Sequence, residues 1–373
     1  MENIIVDNGR VKSIVERLEK HPDVSKVLML CLAGSHAYGT ATENSDTDIR
    51  GVFVAAPDVI RAPFKTLREM GIEGEEDGKV YELNNFMDLF CDMNPNIIEL
   101  GFTDEEAILY QHPAWENLQP KLGALLNKNV AYRFSGYAMS QLKRIKGHNK
   151  HINNPQPKKK PSQQDFFRLV QSYIGTPVLK HEDFMRKFKN MEGLCTMVPL
   201  GGDIFAVVSD TRKNTDSMFM EDGSIRKLEY EEIPEEVKRS QPLLLVKYLR
   251  KEHNEAKDKH HNYWEWVKNR NEARHELEEK YGYDTKHAMH LVRLLRMGEE
   301  ILSTGQVLVR RPDAQELLGI RNGEKTYDEI VEWAESQEKK VSKDLYHSST
   351  LPKQSNKRLA AELIMQAQDT AWH

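Results

Sequence analysis

The chain has 373 residues, 30% of them charged, and a formal net charge of −5. That length allows two domains, and that polarity excludes a membrane protein: no apolar run approaches the roughly 20 residues of a spanning helix, and no basic-then-apolar start reads as a signal peptide, so a cytoplasmic protein is expected. The negative balance argues against indiscriminate coating of nucleic acid, although 53 Lys and Arg leave room for a local basic surface.

In chain order, GRVKSIVERLEK places Val11, Ile14, Val15 and Leu18 on one helical face, and KVLMLCLA is a continuous apolar run of the kind that forms a buried strand. A glycine turn and a short polar helical stretch follow, and then DTDIRGVFVAA, whose β-branched and aromatic residues predict a second strand beginning at its aspartates. A third strand is expected from Val80 to Leu83, leading into a helix that Pro95 ends. From Trp115 onward helical periodicity dominates, interrupted by a proline- and lysine-rich loop over 153–165 and by a β-hairpin near 194–209 that turns at Gly201 and Gly202. Pro242 to Leu302 reads as long helices. The expectation is an α+β core with a mixed sheet over 1–112, followed by a mainly helical region over 113–373 carrying the hairpin. Cys31, Cys91 and Cys195 lie far apart among apolar neighbours and predict buried thiols, not a disulfide framework.

The stretch AGSHAYGTATENSDTDIRG, residues 33–51, carries the chemistry. On a strand, Asp46 and Asp48 project from one face, and Arg50 joins them. Two adjacent carboxylates repel unless a cation lies between them, and Mg²⁺, which binds carboxylates together with substrate phosphates, suits the pair. Gly34 lets backbone approach a phosphate, and Ser35 offers a hydroxyl and an N–H. This is the arrangement of nucleotidyl transfer, in which two metal ions clamp the attacking and leaving oxygens. A third carboxylate is needed, from Asp77 before the third strand or Glu82 at its end. Alternation puts these two on opposite faces.

Gly34-Ser35 followed by Ser45-Asp46-Thr47-Asp48 resembles the signature of the DNA polymerase β-like nucleotidyltransferase superfamily. With YELNNFMDLFCDMNPNIIEL, FSGYAMSQLKRI, YDTKHAMHLVRLLRMGEEIL and neighbouring segments, the chain is similar to a bacterial and bacteriophage family of nucleotidyltransferases, some of whose relatives are associated with RNA ligases and RNA repair. The resemblance implies an NTP substrate, Mg²⁺ on Asp46, Asp48 and a third acid, and Gly34, Ser35 and Ser45 at the nucleotide. It favours Asp77, because the family pattern has an aspartate shortly before the third strand.

On YDTKHAMHLVRLLRMGEEIL, Asp284 is a plausible helix cap, and Lys286, His290 and Arg293 form one stripe opposite Ala288, Leu291, Leu295 and Leu302. The stripe either holds triphosphate or acceptor or is a solvated face. Tyr263 and Trp264 with Arg270 and Arg274 are either core or nucleic-acid contacts. Lys143, Arg144, Lys146, His148, Lys150 and His151 form a basic segment suited to acceptor phosphates. The histidine pairs His260–His261 and His287–His290 lack metal-ligand spacing, so no zinc site follows from them. The reading is a Mg²⁺-dependent transfer of NMP to a hydroxyl, foremost of an RNA or tRNA end, in a chain compatible with a homo-oligomer. A protein or a small molecule is an alternative acceptor, and a nucleotide-binding module without catalysis is the rival of another class.

Overall fold

The computed structural model describes residues 7–373 except 44, 63, 76, 175–180, 192, 211–217, 227–229, 270–277 and 279. Strands β1 (Val24–Leu32), β2 (Ile49–Ala55), β3 (Glu69–Gly71), β4 (Lys79–Glu82) and β5 (Ile108–Gln111) form one sheet in the order β3-β4-β2-β1-β5. β2 and β4 run parallel and the other neighbours antiparallel, which makes the sheet mixed. Alternation along β2 sorts its side chains. Phe53 and Ala55 join a cluster with Val11, Ile14, Val15 and Leu18 of the helix Asn8–Glu19, while Val52 and Val54 join the helical layer on the other face. Both faces are therefore covered, which is why β1 is continuously apolar from Val27 to Leu32 and does not alternate there.

The helical layer is built from Leu83–Cys91, Val130–Asn153, Thr285–Thr304 and Lys357–Trp372. Phe86, Phe90, Trp115, Phe134, Leu291 and Leu295 are completely buried there, each stabilising the fold by about 1.5–3 kcal/mol. Val130–Asn153 packs along Thr285–Thr304 more extensively than any other pair of described elements. The protein is thus α+β with a large helical complement. Among the described residues no helix is long and apolar enough to cross a membrane.

The chain divides into two units, 1–153 with 272–373, and 154–271. This differs from the boundary expected after residue 112. The leucine faces of the later helices bury themselves on the sheet's own apolar side, so they belong to the same unit as the sheet. In the second unit, β6 (Phe167–Ser172), β7 (Cys195–Gly201), β8 (Ile204–Ser209) and β9 (Leu244–Tyr248) form an antiparallel sheet in the order β6-β9-β8-β7. The expected hairpin is β7–β8. Gly201, Gly202 and Asp203 turn it with three successive positive φ angles of 91°, 58° and 64°. Residues 244–248 form a strand where the sequence predicts helix; a short apolar run such as LLLVKY fits a buried strand or a buried helix equally well, and pairing with β6 and β8 decides it.

Two further expectations shift. β2 begins at Ile49, so Asp46 and Asp48 lie on the segment that leads into it. Pro95 opens a new helix, Pro95–Gly101, capped by Asn94, whose side chain accepts from the Asn96 N–H.

Candidate active site

β1 and β2 are joined by a short helix, Gly34–Tyr38, and a loop, and the two ends of this connection are stitched together where the Ala33 N–H donates to the Asp48 carbonyl at 2.8 Å. The stitch sets Gly34 against Asp48. Gly34 has φ +61°, and a Cβ built on it would fall 2.6 Å from Asp48 Oδ2. Only glycine leaves the carboxylate that space.

Asp48 is half-buried, and burial pushes its carboxyl above the ordinary aspartate value. Arg50 opposes the rise, Asp77 and Asp46 add to it, and Lys286 opposes it. Four charged groups from three stretches of chain thus act on one carboxylate, and the two acids among them, Asp46 and Asp77, repel it. Asp46 and Asp77 are exposed. An open cavity of about 200 Å³ lies against Asp48 and Arg50, walled by Gly34, Tyr38, Tyr81 and Glu99 among others.

Glu82, the other acid weighed, does not line this cavity. It is buried at the far end of β4 and caps the helix Leu83–Cys91, accepting from the N–H groups of Asn84 at 2.7 Å and Asn85 at 3.3 Å. Burial pushes its carboxyl up to about 7 in spite of those bonds. A folded value above the unfolded one means that its contribution is fully present below about pH 4.5 and is lost as pH climbs through about 7. The chain should lose about 2–3 kcal/mol between roughly pH 5 and pH 8 from this group, and Glu82→Gln should flatten that dependence. Urea midpoints at the two pH values check this.

The stripe Lys286, His290 and Arg293 is not an outward face. Arg293 is buried, pairs with Glu99, and lays its guanidinium 3.7 Å from the centre of the Tyr38 ring. Burial disfavours its charge, yet Glu99 and Tyr38 more than compensate and hold it above its ordinary value. The Tyr38 hydroxyl donates to the second Glu99 oxygen at 2.5 Å. His290 is held neutral, pushed well below its ordinary value first by burial and then by Arg293 and Lys286. Lys286 exerts its charge on Asp48. The apolar side, Ala288, Leu291, Leu295 and Leu302, is buried.

Ser35 is half-buried on the short helix and its carbonyl accepts from Thr40 N–H at 2.9 Å. Ser45 uses its hydroxyl to close a local turn, accepting from Thr42 N–H at 2.9 Å. Lys143 and Arg144 are exposed, Lys146 pairs with Glu335 at 2.7 Å, and His148 bonds to Glu278 at 3.0 Å. His260 and Trp264 both reach the Pro157 carbonyl, at 3.0 Å and 3.1 Å, so this end of their helix is tied to its own unit. Arg270 and Arg274 lie outside the described residues.

Tyr38 and Glu99 wall the cavity although no sequence motif marks them for it. A single acid inside the apolar run NIIEL is the one signal available, because a buried carboxylate requires a partner.

Residues 8–160 match the family model RlaP, described as RNA repair pathway DNA polymerase beta family. No curated protein and no solved structure matches the chain. The matched segment contains the sheet, the Gly34 turn and all three of Asp46, Asp48 and Asp77. The match covers residues 8–160, less than half of the chain, and for that segment it supports a DNA polymerase β-like nucleotidyltransferase family.

Proposed function

We propose that the protein transfers an NMP from an NTP to the hydroxyl of an RNA end, with Mg²⁺ held by Asp46, Asp48 and Asp77. The observation that carries this reading is the crowding of negative charge on the half-buried Asp48 beside a glycine that clears space for it. An all-oxygen carboxylate set of this kind fits Mg²⁺, which keeps several positions for water and phosphate. When bound, the metal neutralises charge developing on the phosphoryl and leaving oxygens.

The chain's own residues do the rest. Gly34 and Ser35 bring backbone and hydroxyl toward the phosphates, Arg50 and Lys286 supply positive charge around Asp48, and Tyr38, fixed by Glu99 and Arg293, walls the cavity. Ser45 supports the loop before the acids. In the transfer, the acceptor oxygen bonds to the α-phosphorus, the bond from that phosphorus to the bridging oxygen breaks, and pyrophosphate leaves. The hydroxyl proton passes to an acid of the cluster, of which Asp77 is exposed and so accessible to an acceptor. A cavity of about 200 Å³ is smaller than a typical small-molecule site and suits the reacting end of a nucleotide.

The RNA acceptor is supported by the family's description and by the exposed Lys143 and Arg144. Pure protein incubated with each α-labelled NTP and Mg²⁺, with and without RNA, should place label on RNA. Label on protein alone would replace RNA with a protein acceptor, and no label with any NTP would favour a binding module. Neutralising Lys143 and Arg144 should flatten the slope of log K against log salt by roughly 0.7 to 0.9 for each phosphate that is no longer neutralised. Lys146, already paired with Glu335, should contribute less. An unchanged slope would remove this segment from the RNA-binding surface.

A further inference from the structure

Apart from the residues lining the Asp48 cavity, His148, Glu278 and Asp284 bring one ligand atom each within 4.8 Å of one another. His148 Nδ1 lies 3.0 Å from Glu278 Oε1 and 3.7 Å from Asp284 Oδ2, and His287 Nε2 lies 3.5 Å from the same Asp284 oxygen. Four-coordinate Zn²⁺ with ligands at about 2.0–2.2 Å sets neighbouring ligand atoms about 3.3–3.5 Å apart. The two separations from His148 lie on either side of that value, and all three ligand atoms lie within 4.8 Å of one another. Both carboxylate side chains are only 2% exposed. The imidazole and the two carboxylates thus bring nitrogen and oxygen donors within reach of a single ion, away from bulk water. The His148 side chain is 24% exposed, which leaves a path for an ion and a water.

The geometry points to a second cation site, in which His148, Glu278 and Asp284 bind a transition-metal ion of the Zn²⁺ or Mn²⁺ class. An imidazole in the donor set favours such an ion over Mg²⁺. His287 stands beside Asp284 as a positioning residue that orients the carboxylate. His148 closes the helix Val130–Asn153 near its last turn, and Asp284 caps Thr285–Thr304 by accepting from the His287 N–H at 2.9 Å. The ion therefore ties together the two most extensively packed helices, next to the points where the chain leaves the first unit after Asn153 and re-enters it. Local spacing around His287 and His290 does not reveal this site, because His148 stands 130 residues away from Glu278 along the chain.

The site goes beyond nucleotidyl transfer, and its test reads metal content instead of activity. In the full chain carrying Asp46→Asn and Asp48→Asn, which weakens the cavity's own affinity for cations, chelator-stripped protein is reloaded with Zn²⁺, desalted and counted by elemental analysis. One equivalent should remain, millimolar Mg²⁺ should not displace it, and the Tm should rise. Adding Glu278→Gln or His148→Gln should lower Zn²⁺ affinity at least ~10-fold, and His287→Ala should lower it by about 10- to 100-fold. Co²⁺ loaded into the same background should show the intense visible absorption of a four-coordinate imidazole site, a readout that does not depend on any of these added variants folding. A background that retains no Zn²⁺ and shows no such Co²⁺ spectrum overturns the site. So does Zn²⁺ retained undiminished in both Glu278→Gln and His148→Gln, which would mark adventitious surface binding.

Discussion

Asp48→Asn is expected to lower nucleotidyl transfer by about 10²- to 10³-fold, the loss typical when one electrostatic interaction with a developing charge is removed, while the chain stays folded. The substitution keeps the shape that sits against Gly34 and removes only the charge. The sign of its effect on stability is the sharper test. Burial first, with Asp77 and Asp46 adding to it and Arg50 and Lys286 opposing it, raises the folded value of Asp48 above its ordinary 3.8. A raised acid contributes most below that ordinary value, and the contribution is lost as pH rises through the folded value. At neutral pH without metal the ionised Asp48 is thus a cost, and the Asn variant should melt at the same temperature as the parent or above it, the difference vanishing in acid. Mg²⁺ with NTP should then raise the Tm of the parent and much less that of the variant. Undiminished transfer by Asp48→Asn would remove the residue from the site, and a variant that unfolds in the absence of metal would make its role structural.

The segment proposed to carry the chemistry is legible because its requirements are local. A glycine at φ +61° beside an acid, and two acids one residue apart, leave a spacing that survives in one dimension. The sheet is legible for a similar reason, since β1 and β2 are covered on both faces and read as apolar runs. What sequence hides is any partnership over long separation. Arg293 looks like one member of a cationic stripe because helical periodicity reports which residues share a face, not whether that face meets Glu99. β9 reads as helix because five apolar or amphipathic residues carry too little period to choose, and its partners lie about forty and eighty residues upstream. The division into compact units is hidden for the same reason: several helices after residue 113 have leucine faces whose destination, the sheet's own apolar side, is not written in their spacing.

Glu99→Ala should cost the fold about 3–5 kcal/mol, the usual penalty for stripping the partner from a buried charge. Arg293 and Glu99 have side chains only 5% and 7% exposed, so neither can turn to water once its partner is gone. The Tyr38 hydroxyl loses its acceptor in the same change, and the ring under the guanidinium loses the group that fixed its orientation. Because the pair is dry, added salt should not reproduce the loss, as it would for an exposed bridge such as Lys146–Glu335. Replacing both partners with apolar residues of similar size, Glu99→Leu with Arg293→Met, should recover much of the stability, since the fold then no longer has to bury a charge. It should not recover transfer. Tyr38 and Glu99 wall the cavity beside Asp48, and an apolar substitute offers the tyrosine hydroxyl no acceptor, so the wall is free to shift and transfer stays low in a chain that melts normally. Urea unfolding of the single and double variants, paired with transfer assays, separates the two effects. If Glu99→Ala unfolds at the parent's urea midpoint, Arg293 has found another partner and the wall does not depend on this pair. If the double variant regains full transfer, the orientation of Tyr38 has no part in the chemistry.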